Sequence, residues 1–483
     1  MIVAGSAVVR PLSPSERWFW IIDRISPSNC IGRIRVHGRI APARLERAAA
    51  ALVTEYPLLR VGVEHGAAFA PRFVPLADPR LPVRRVETDD PELWRAAVDA
   101  ELAAPFDTAT GLARAVDIVH AVGTPAEHHD ILLTVSHVLL DGRSLITLLR
   151  KLIDYAAADG GAGAAAIPVS AFESAADGPA AAPEPDSAGR GRPSVTPATG
   201  SAVTRYPAAA RPPFPPADDL IPRAARGMWR YLFTTLADQA VALVRRPRLL
   251  AGAGPVPLPD RRTRTVRRVL EARRLAALTA ECRAAGVTVH GALVGAVALA
   301  IGHTVRPQRS GCTGIASPVD FRQQLTPVPA ADELGIYAPV LTTFVSFGPR
   351  RSLWSAARSV NRQLDRKVRQ RRHLATVAGM RYGTPKSLES GWRVVKLIDR
   401  RAPWNVSVTN LGRVDFPPAP GEWRTCGLSV AAGNSCVSAL TVAVATAHDE
   451  TSLEFCYVDG VLSPESAERF ADLVLATLAD RVG

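Results

Sequence analysis

Histidine is the side chain whose ordinary pKa lets it take or give a proton near neutral pH, and one of the ten in this chain sits in a pattern suited to proton abstraction. The stretch Val135-Ser136-His137-Val138-Leu139-Leu140-Asp141-Gly142-Arg143-Ser144 reads as a strand end, a short connection and a helix start. A histidine at a strand end stands at a sheet edge, where a substrate reaches it, so His137 is the candidate general base. Asp141, four residues on, is too close within one tight turn to relay a proton. It is read as a brace that pairs with a cation elsewhere in the fold. Gly142 is expected to permit the chain reversal. The bland alternative is a surface histidine in an ordinary strand–turn–helix connection.

Three other groupings carry weaker chemistry. His128-His129-Asp130 has metal-ligand residue types, yet no second His/Cys cluster has ligand spacing, so a solvated loop is expected and no metal site. Gly427-Leu428-Ser429-Val430-Ala431 lacks the final glycine of a nucleophile elbow and reads as an alternating strand. Gly160-Gly161-Ala162-Gly163 follows no strand and lies in a low-complexity stretch, so it is no phosphate-binding loop. No bound cofactor is expected.

The elements that must position His137 are legible on both sides of it. Asp130 to Val135 is a near-continuous apolar run, suited to the middle of a sheet, and Gly142 to Tyr155 has helical spacing. Upstream, strands are expected at Ile31–Val36 and Leu59–Val63, and helices at Pro42–Val53 and Pro91–Leu102. The second half opens with a helix around Leu220–Val244, followed by a helix pair at Glu271–Ala285 and His290–Gly302. Further strands are expected at Leu341–Phe347, Trp404–Thr409, Ser438–Ala445 and Ser452–Tyr457. Residues 156–219 contain no leucine and consist mostly of Ala, Gly, Pro and Ser, too little apolar surface to offset ordering entropy. They read as a linker between residues 1–155 and residues 220–483, two halves of mixed α/β architecture.

The His-x-x-x-Asp-Gly pattern resembles the motif of the chloramphenicol acetyltransferase-like superfamily. That group includes nonribosomal peptide condensation domains, wax ester synthase/diacylglycerol acyltransferases and the polyketide-associated acyltransferases of the phthiocerol dimycocerosyl transferase type. Further stretches agree in order: Leu12-Ser13-Pro14-Ser15-Glu16-Arg17-Trp18-Phe19-Trp20 looks like an opening segment, and Glu55-Tyr56-Pro57-Leu58-Leu59-Arg60 resembles an "HPLLR" stretch. Cys282 to Val289 is similar to a helix–turn–helix start common in the group. Ser317-Pro318-Val319-Asp320-Phe321-Arg322 resembles an Asp-hydrophobic-Arg motif, and Val408-Thr409-Asn410-Leu411-Gly412 a "SNLG" segment. Two departures stand out. Ser136 occupies the place of the motif's usual first histidine, a supporting position, and Tyr56 that of the histidine before Pro-Leu-Leu-Arg.

The resemblance implies a two-lobed α/β fold with mixed sheets and an active-site channel between lobes meeting at His137. It implies an acyltransferase that moves an acyl group from a thioester, on coenzyme A or an acyl carrier protein, to a hydroxyl of a lipid, polyketide or glycolipid. His137 would take the proton from the acceptor, and Asp141 would be structural, with Arg60 as the expected partner of its charge. Asn410, and Asp320 with Arg322, would shape the site from the second half. The residue-level alternatives are a helix-start ion pair for Asp320 and Arg322, and a simple turn for Asn410-Leu411-Gly412. Alternative functions are a free-standing condensation domain that forms an amide, and a catalytically silent scaffold. No carrier domain is recognisable in these residues, so a carrier is expected to act in trans.

Charge narrows the partners. Of 483 residues 47% are hydrophobic and 21% charged, enough to bury real cores, and the net charge is +13. Residues 1–155 carry 18 basic and 18 acidic side chains, whereas residues 221–274 carry 13 Arg against 3 acids and residues 350–373 carry 9 bases against 1. The excess is therefore local and does not make a uniformly basic nucleic-acid coat; with no aromatic-interleaved platform, nucleic acid is not an expected partner. Arg261, Arg262 and Arg264 form a candidate donor-side patch for a phosphate-bearing donor or acidic carrier. Arg226-Gly227-Met228-Trp229-Arg230-Tyr231-Leu232-Phe233 mixes arginine with aromatics, which suits a lipid interface, although an ordinary amphipathic helix packed on the core is the favoured reading. The Arg-rich 358–372 stretch reads as a solvated helix face. Six scattered cysteines without CxxC pairing, and Met1 to Val9 without a basic n-region, point to reduced thiols and a cytoplasmic place, with peripheral membrane contact as a variant.

Overall fold

The computed structural model describes residues 8–66, 69–158, 210–250, 254, 256–434, 436 and 438–479. The first half runs β1 (Arg10–Pro11), α1 (Pro14–Ile25), β2 (Asn29–His37), α2 (Pro42–Glu55), β3 (Val61–Gly66), β4 (Phe69–Pro75), β5 (Val83–Thr88), α3 (Leu93–Ala103), β6 (Ala113–His120), β7 (His128–Ser136) and α4 (Gly142–Ala158). The second half opens with α5 (Ala217–Leu220), α6 (Met228–Arg245), β8 (Thr263–Leu270), α7 (Ala272–Ala284), α8 (Val289–Val305), β9 (Gly311–Pro318) and β10 (Val340–Phe347). It continues with α9 (Leu353–Arg369), α10 (Arg372–Gly383), α11 (Leu388–Arg401), β11 (Val406–Arg413), β12 (Arg424–Ala432), β13 (Leu440–Ala447), β14 (Glu450–Val458) and α12 (Pro464–Ala479). Most of the expected linker, residues 159–209, lies outside the described residues.

The sheet that carries His137 has the order β12-β2-β7-β6-β5. β7 is its central strand, as the apolar run requires, because both its faces are covered. Its residues alternate: Ile131, Leu133 and Val135 enter the core that includes α2 and α4, and Leu132 enters a second core with Trp94, Val98 and Leu102 of α3. β12 comes from the second half yet pairs antiparallel with β2, from Arg424 opposite His37 to Ala432 opposite Cys30. The segment read as an alternating strand thus closes the first half's sheet, and sheet membership crosses the division of the sequence.

The second sheet has the order β10-β9-β11-β13-β14-β8. β11 lies parallel to both β9 and β13, and α8, α9 and α12 contribute to the core that covers the sheet. The two sheets meet through α3, where Asp99 accepts hydrogen bonds from Thr265 N and Oγ1 (2.9 and 3.0 Å). Mixed α/β architecture in two halves is therefore what the chain adopts.

Three sequence readings need correction. His128-His129-Asp130 is no solvated loop: it begins β7, with His129 and Asp130 fully buried. Asp130 is held there by Arg33 and Arg35 (2.5 and 2.8 Å), and His129 bonds Asp117 through Nδ1 (2.7 Å). The helix around Leu220–Val244 is two helices, since residues 221–227 are not α-helical and Gly227 adopts φ 141°. Nor does α6 pack its apolar face on the core. Trp229, Phe233 and Leu236 are exposed, and Thr234 is the helix's buried residue. The 358–372 stretch is mostly a solvated face, apart from Lys367, buried against Asp238 (2.7 Å).

Candidate active site

His137 follows the last residue of β7, five residues before α4 begins. Its backbone N–H donates to Ser28 O (3.2 Å), which ties the strand end to the approach of β2. Ser136, fully buried, accepts a bond from Val138 N at Oγ (3.4 Å) and one from Leu139 N at its carbonyl (3.0 Å). The serine in place of the motif's first histidine thus holds the turn from inside. The imidazole of His137 stacks on the ring of Phe19 from α1, with centroids 3.9 Å apart and planes 16° from parallel. A parallel stack at that distance fixes the ring plane without using either nitrogen.

Nδ1 of His137 is buried without a hydrogen-bond partner among the described residues. Burial pushes the imidazole below the ordinary histidine pKa, against the opposing pull of Asp141 and of the backbone at His137 and Leu140. The ring is therefore uncharged at neutral pH, the state a proton acceptor needs.

Asp141 faces away from this chemistry. Its Oδ1 accepts from Ser144 N (2.9 Å) and Arg322 Nη2 (2.9 Å), and its Oδ2 accepts from Tyr337 N (2.9 Å). Its own N–H donates to Gly335 O (2.9 Å). Burial alone would raise its pKa, but Arg322 and the two backbone donors overcome it and hold the carboxyl below the usual carboxylate range. Arg322 also donates to Ser144 Oγ (2.9 Å) and lies over the ring of Tyr337 (4.3 Å). The expected partner Arg60 is not used: its guanidinium donates to the carbonyls of Val53 and Thr54 (3.3 and 2.8 Å). The reason lies in the local backbone. Arg60 closes a 3-10 turn at residues 57–60 beside the end of α2, so it serves that helix's free carbonyls.

Gly142 also has a different role from the expected one. Its φ is not left-handed, so the chain reverses without it. A Cβ there would come 3.2 Å from Leu411 Cδ2, so the glycine makes room for β11. Leu411 is thus the residue of Asn410-Leu411-Gly412 that reaches the His137 loop. Asn410 Oδ1 accepts from Gly412 N (2.9 Å) within β11, where the pairing with β13 shifts register between Asn410 and Arg413, so this is an irregular stretch of strand and not the simple turn that was the alternative. Asp320 bridges the halves through Arg143 (3.0 Å), caps the backbone N–H of Arg322 (3.0 Å) and pairs with its guanidinium (3.3 Å). His137 and Asp141 with Gly142, Arg322 and Asp320 therefore share one constellation; Arg60 serves a 3-10 turn at its margin, and the side chain of Asn410 an irregular stretch of β11. Phe19 and Tyr337 belong to it and were missed, because nothing in their local spacing signals a contact more than a hundred residues away.

The proposed donor patch is largely spent on internal pairs. Arg261 binds Asp399 (2.7 Å), Arg264 binds Asp459 (2.7 Å), Arg267 binds Glu450 (2.7 Å) and Arg268 binds Asp472 (2.7 Å). Arg262 donates to the carbonyls of Pro259 and Arg261 (2.8 and 3.0 Å) and is exposed. Elsewhere His120, His128 and Asp130 place ligand-type atoms within 4.8 Å of one another, but the two guanidiniums on Asp130 already occupy its charge.

Residues 259–458 match the family model for the phthiocerol/phthiodiolone dimycocerosyl transferase C-terminus. No curated protein sequence matches the chain. Among solved structures, the first condensation domain of the calcium-dependent antibiotic synthetase, in complex with a substrate analogue, is similar over 99% of this chain and 97% of that one, at 15% identity and a TM-score of 0.68. Polyketide synthase associated protein 5 from Mycobacterium tuberculosis is similar over 98% and 99%, at 15% identity and 0.62. The TRI3 trichothecene 15-O-acetyltransferase from Fusarium sporotrichioides is similar over 97% and 95%, at 12% identity and 0.68. At such identities these likenesses establish the two-lobed fold. The family match adds a sequence likeness to that transferase family over residues 259–458 of the second half.

Proposed function

We propose that the chain transfers an acyl group from a thioester to a hydroxyl, with His137 as general base. The observation that carries this reading is the state of His137: uncharged, oriented by Phe19 and unpaired at Nδ1, four residues from an aspartate whose charge is fully used elsewhere. An imidazole so placed takes the acceptor's proton as its oxygen attacks the thioester carbonyl. Collapse of the tetrahedral adduct breaks the carbon–sulfur bond, and the imidazolium returns the proton to the departing thiolate. Products are an ester and a free thiol, and no acyl-enzyme is needed. The donor is read as acyl-CoA or a phosphopantetheinyl acyl carrier protein acting in trans, with no bound cofactor. The acceptor is read as a lipid, polyketide or glycolipid hydroxyl, in keeping with the second half's family match. Residues 1–155 and 220–483 are read as the two lobes and 156–219 as their link.

Purified protein offered acyl-CoA donors of increasing chain length, with alcohol and amine acceptors, should release thiol with an alcohol. His137→Ala should lower the rate by about 10²- to 10⁴-fold, the usual contribution of a general base, with an unchanged circular dichroism spectrum. A mutant at wild-type rate overturns the base assignment. Turnover with amines alone favours the amide-forming alternative, and no turnover with free or carrier-bound donors favours the silent scaffold.

A further inference from the structure

Helix α6 is built inside out. At 100° per residue, Trp229, Phe233, Leu236, Ala240, Leu243 and Val244 form one apolar stripe. Most of that stripe faces away from the protein: Trp229 is 77% exposed, Phe233 67%, Leu236 64%, Leu243 77% and Val244 82%. The opposite face, with Tyr231, Thr234 and Asp238, is the one turned to α10 and α9. Tyr231 fits against Gly379 and Gly383, where a Cβ would come 2.2 and 2.8 Å from it, and Asp238 pairs with Lys367 (2.7 Å) and Arg372 (3.5 Å). A water-facing helix normally shows the reverse arrangement, so this stripe needs an apolar partner.

Charge selects the partner. Across residues 223–248 there are six arginines and one acid, Asp238, and that acid is turned inward. Arg230, Arg245 and Arg246 are exposed along and just beyond the helix. Beside Trp229 and Phe233 an open cleft of about 470 Å³ is lined also by Arg230, Thr234, Gln370 and Arg372, a place for an anionic headgroup next to two aromatic rings. Exposed Trp, Phe and Leu with arginines at the flanks is the composition of a helix that lies in a membrane interface. Among the described residues no single helix is long and apolar enough to cross a membrane, so the contact would be peripheral.

We infer that α6 docks the protein on an anionic lipid bilayer, with Trp229, Phe233, Leu236 and Leu243 in the interface and Arg230 and Arg246 on lipid phosphates. α10, on which α6 rests, packs in turn on α1, which carries Phe19 over His137. Docking would therefore set the active-site half against the surface where acyl lipids reside.

The test is co-sedimentation of the full chain with vesicles of phosphatidylcholine alone and of equal parts phosphatidylcholine and phosphatidylglycerol. The anionic vesicles should bind the protein, added salt should weaken that binding, and the neutral vesicles should bind it at least about tenfold less well. Trp229→Ser with Phe233→Ser should cost more than about tenfold in partitioning, because two large side chains leave the interface. Arg230→Glu with Arg246→Glu should abolish the preference for anionic vesicles. Both pairs should melt like the wild type, since all four side chains are exposed. Absence of binding to anionic vesicles overturns the proposal, as does binding that the serine pair leaves unchanged. So does a dimer, seen by light scattering without lipid, that the serine pair converts to monomer, since the stripe would then be covered by a second copy.

Discussion

The two ends of one motif, four residues apart, are treated in opposite ways by the fold. At one end the imidazole of His137 stacks on the face of Phe19, and its Nδ1 has no hydrogen-bond partner among the described residues. At the other, Asp141 accepts three hydrogen bonds and carries a charge matched by Arg322, 181 residues away. The difference separates positioning from chemistry. A group that must change protonation in each cycle cannot be locked by strong polar contacts, whereas a group that holds two halves of a chain together gains from being fully paired. The lobe joint and the proposed base are adjacent because α4 starts where the joint is made: Ser144 N and Arg322 Nη2 both bond Asp141, and Arg322 Nη2 also donates to Ser144 Oγ.

The contrast breaks most sharply at Arg322. Arg322→Met leaves Asp141 buried and unpaired, and should cost about 3–5 kcal/mol in denaturant unfolding. Adding Asp141→Asn should recover part of that loss, because the stranded charge is gone; a double mutant whose losses simply add would show that the two residues act independently. The pair also fixes a pH dependence. The folded-state pKa of Asp141 is lowered, so its contribution is present above the unfolded value of about 3.9 and is lost as pH falls through the lower folded value.

Smaller effects follow on the chemical side. Phe19→Ala should reduce kcat/KM by about threefold to tenfold, the worth of an aromatic stack, with little change in unfolding midpoint beyond the lost burial. Phe19→Tyr, which keeps the ring face, should restore the rate. Asn410→Ala should cost about 0.5–1.5 kcal/mol of stability, as the Gly412 N–H loses its acceptor, and should leave kcat/KM within about twofold. Smallest of all should be charge reversal at Arg262, exposed and bonded to backbone carbonyls. Donor KM and its salt dependence should stay within error, unlike reversal at a residue that meets the donor's phosphate.

Much of this arrangement is written locally. The apolar run before His137 gave β7 its central place, because a strand covered on both faces can be recognised from its own residues. The histidine at its end and the helix after it are equally local. Arg322 was visible as a motif residue, but its partner was not. Asp141 lies 181 positions away, and the nearer Arg60 offered the same charge without the geometry, being tied to the end of α2. Leu411 was hidden behind Asn410, whose amide looked like the functional group while its neighbour's methyl groups made the contact with Gly142. The strand at 424–432 could be read as a strand, yet pairing with β2 depends on a sheet edge built by the other half. α6 shows a further limit. Periodicity reveals an apolar stripe but does not say which face the rest of the protein will cover.

The pH dependence of kcat/KM, measured on the wild-type protein beside His137→Ala and Asp141→Asn, tests the central claim most directly. Because burial lowers the His137 pKa, the wild-type rate should be flat across neutral pH and fall on the acid side through one ionisation below the ordinary histidine value of about 6.5. Asp141 pulls that pKa upward, so Asp141→Asn should move the limb to still lower pH, and the residual rate of His137→Ala should lack it. A limb that persists unchanged in His137→Ala would contradict the assignment of His137 as the base.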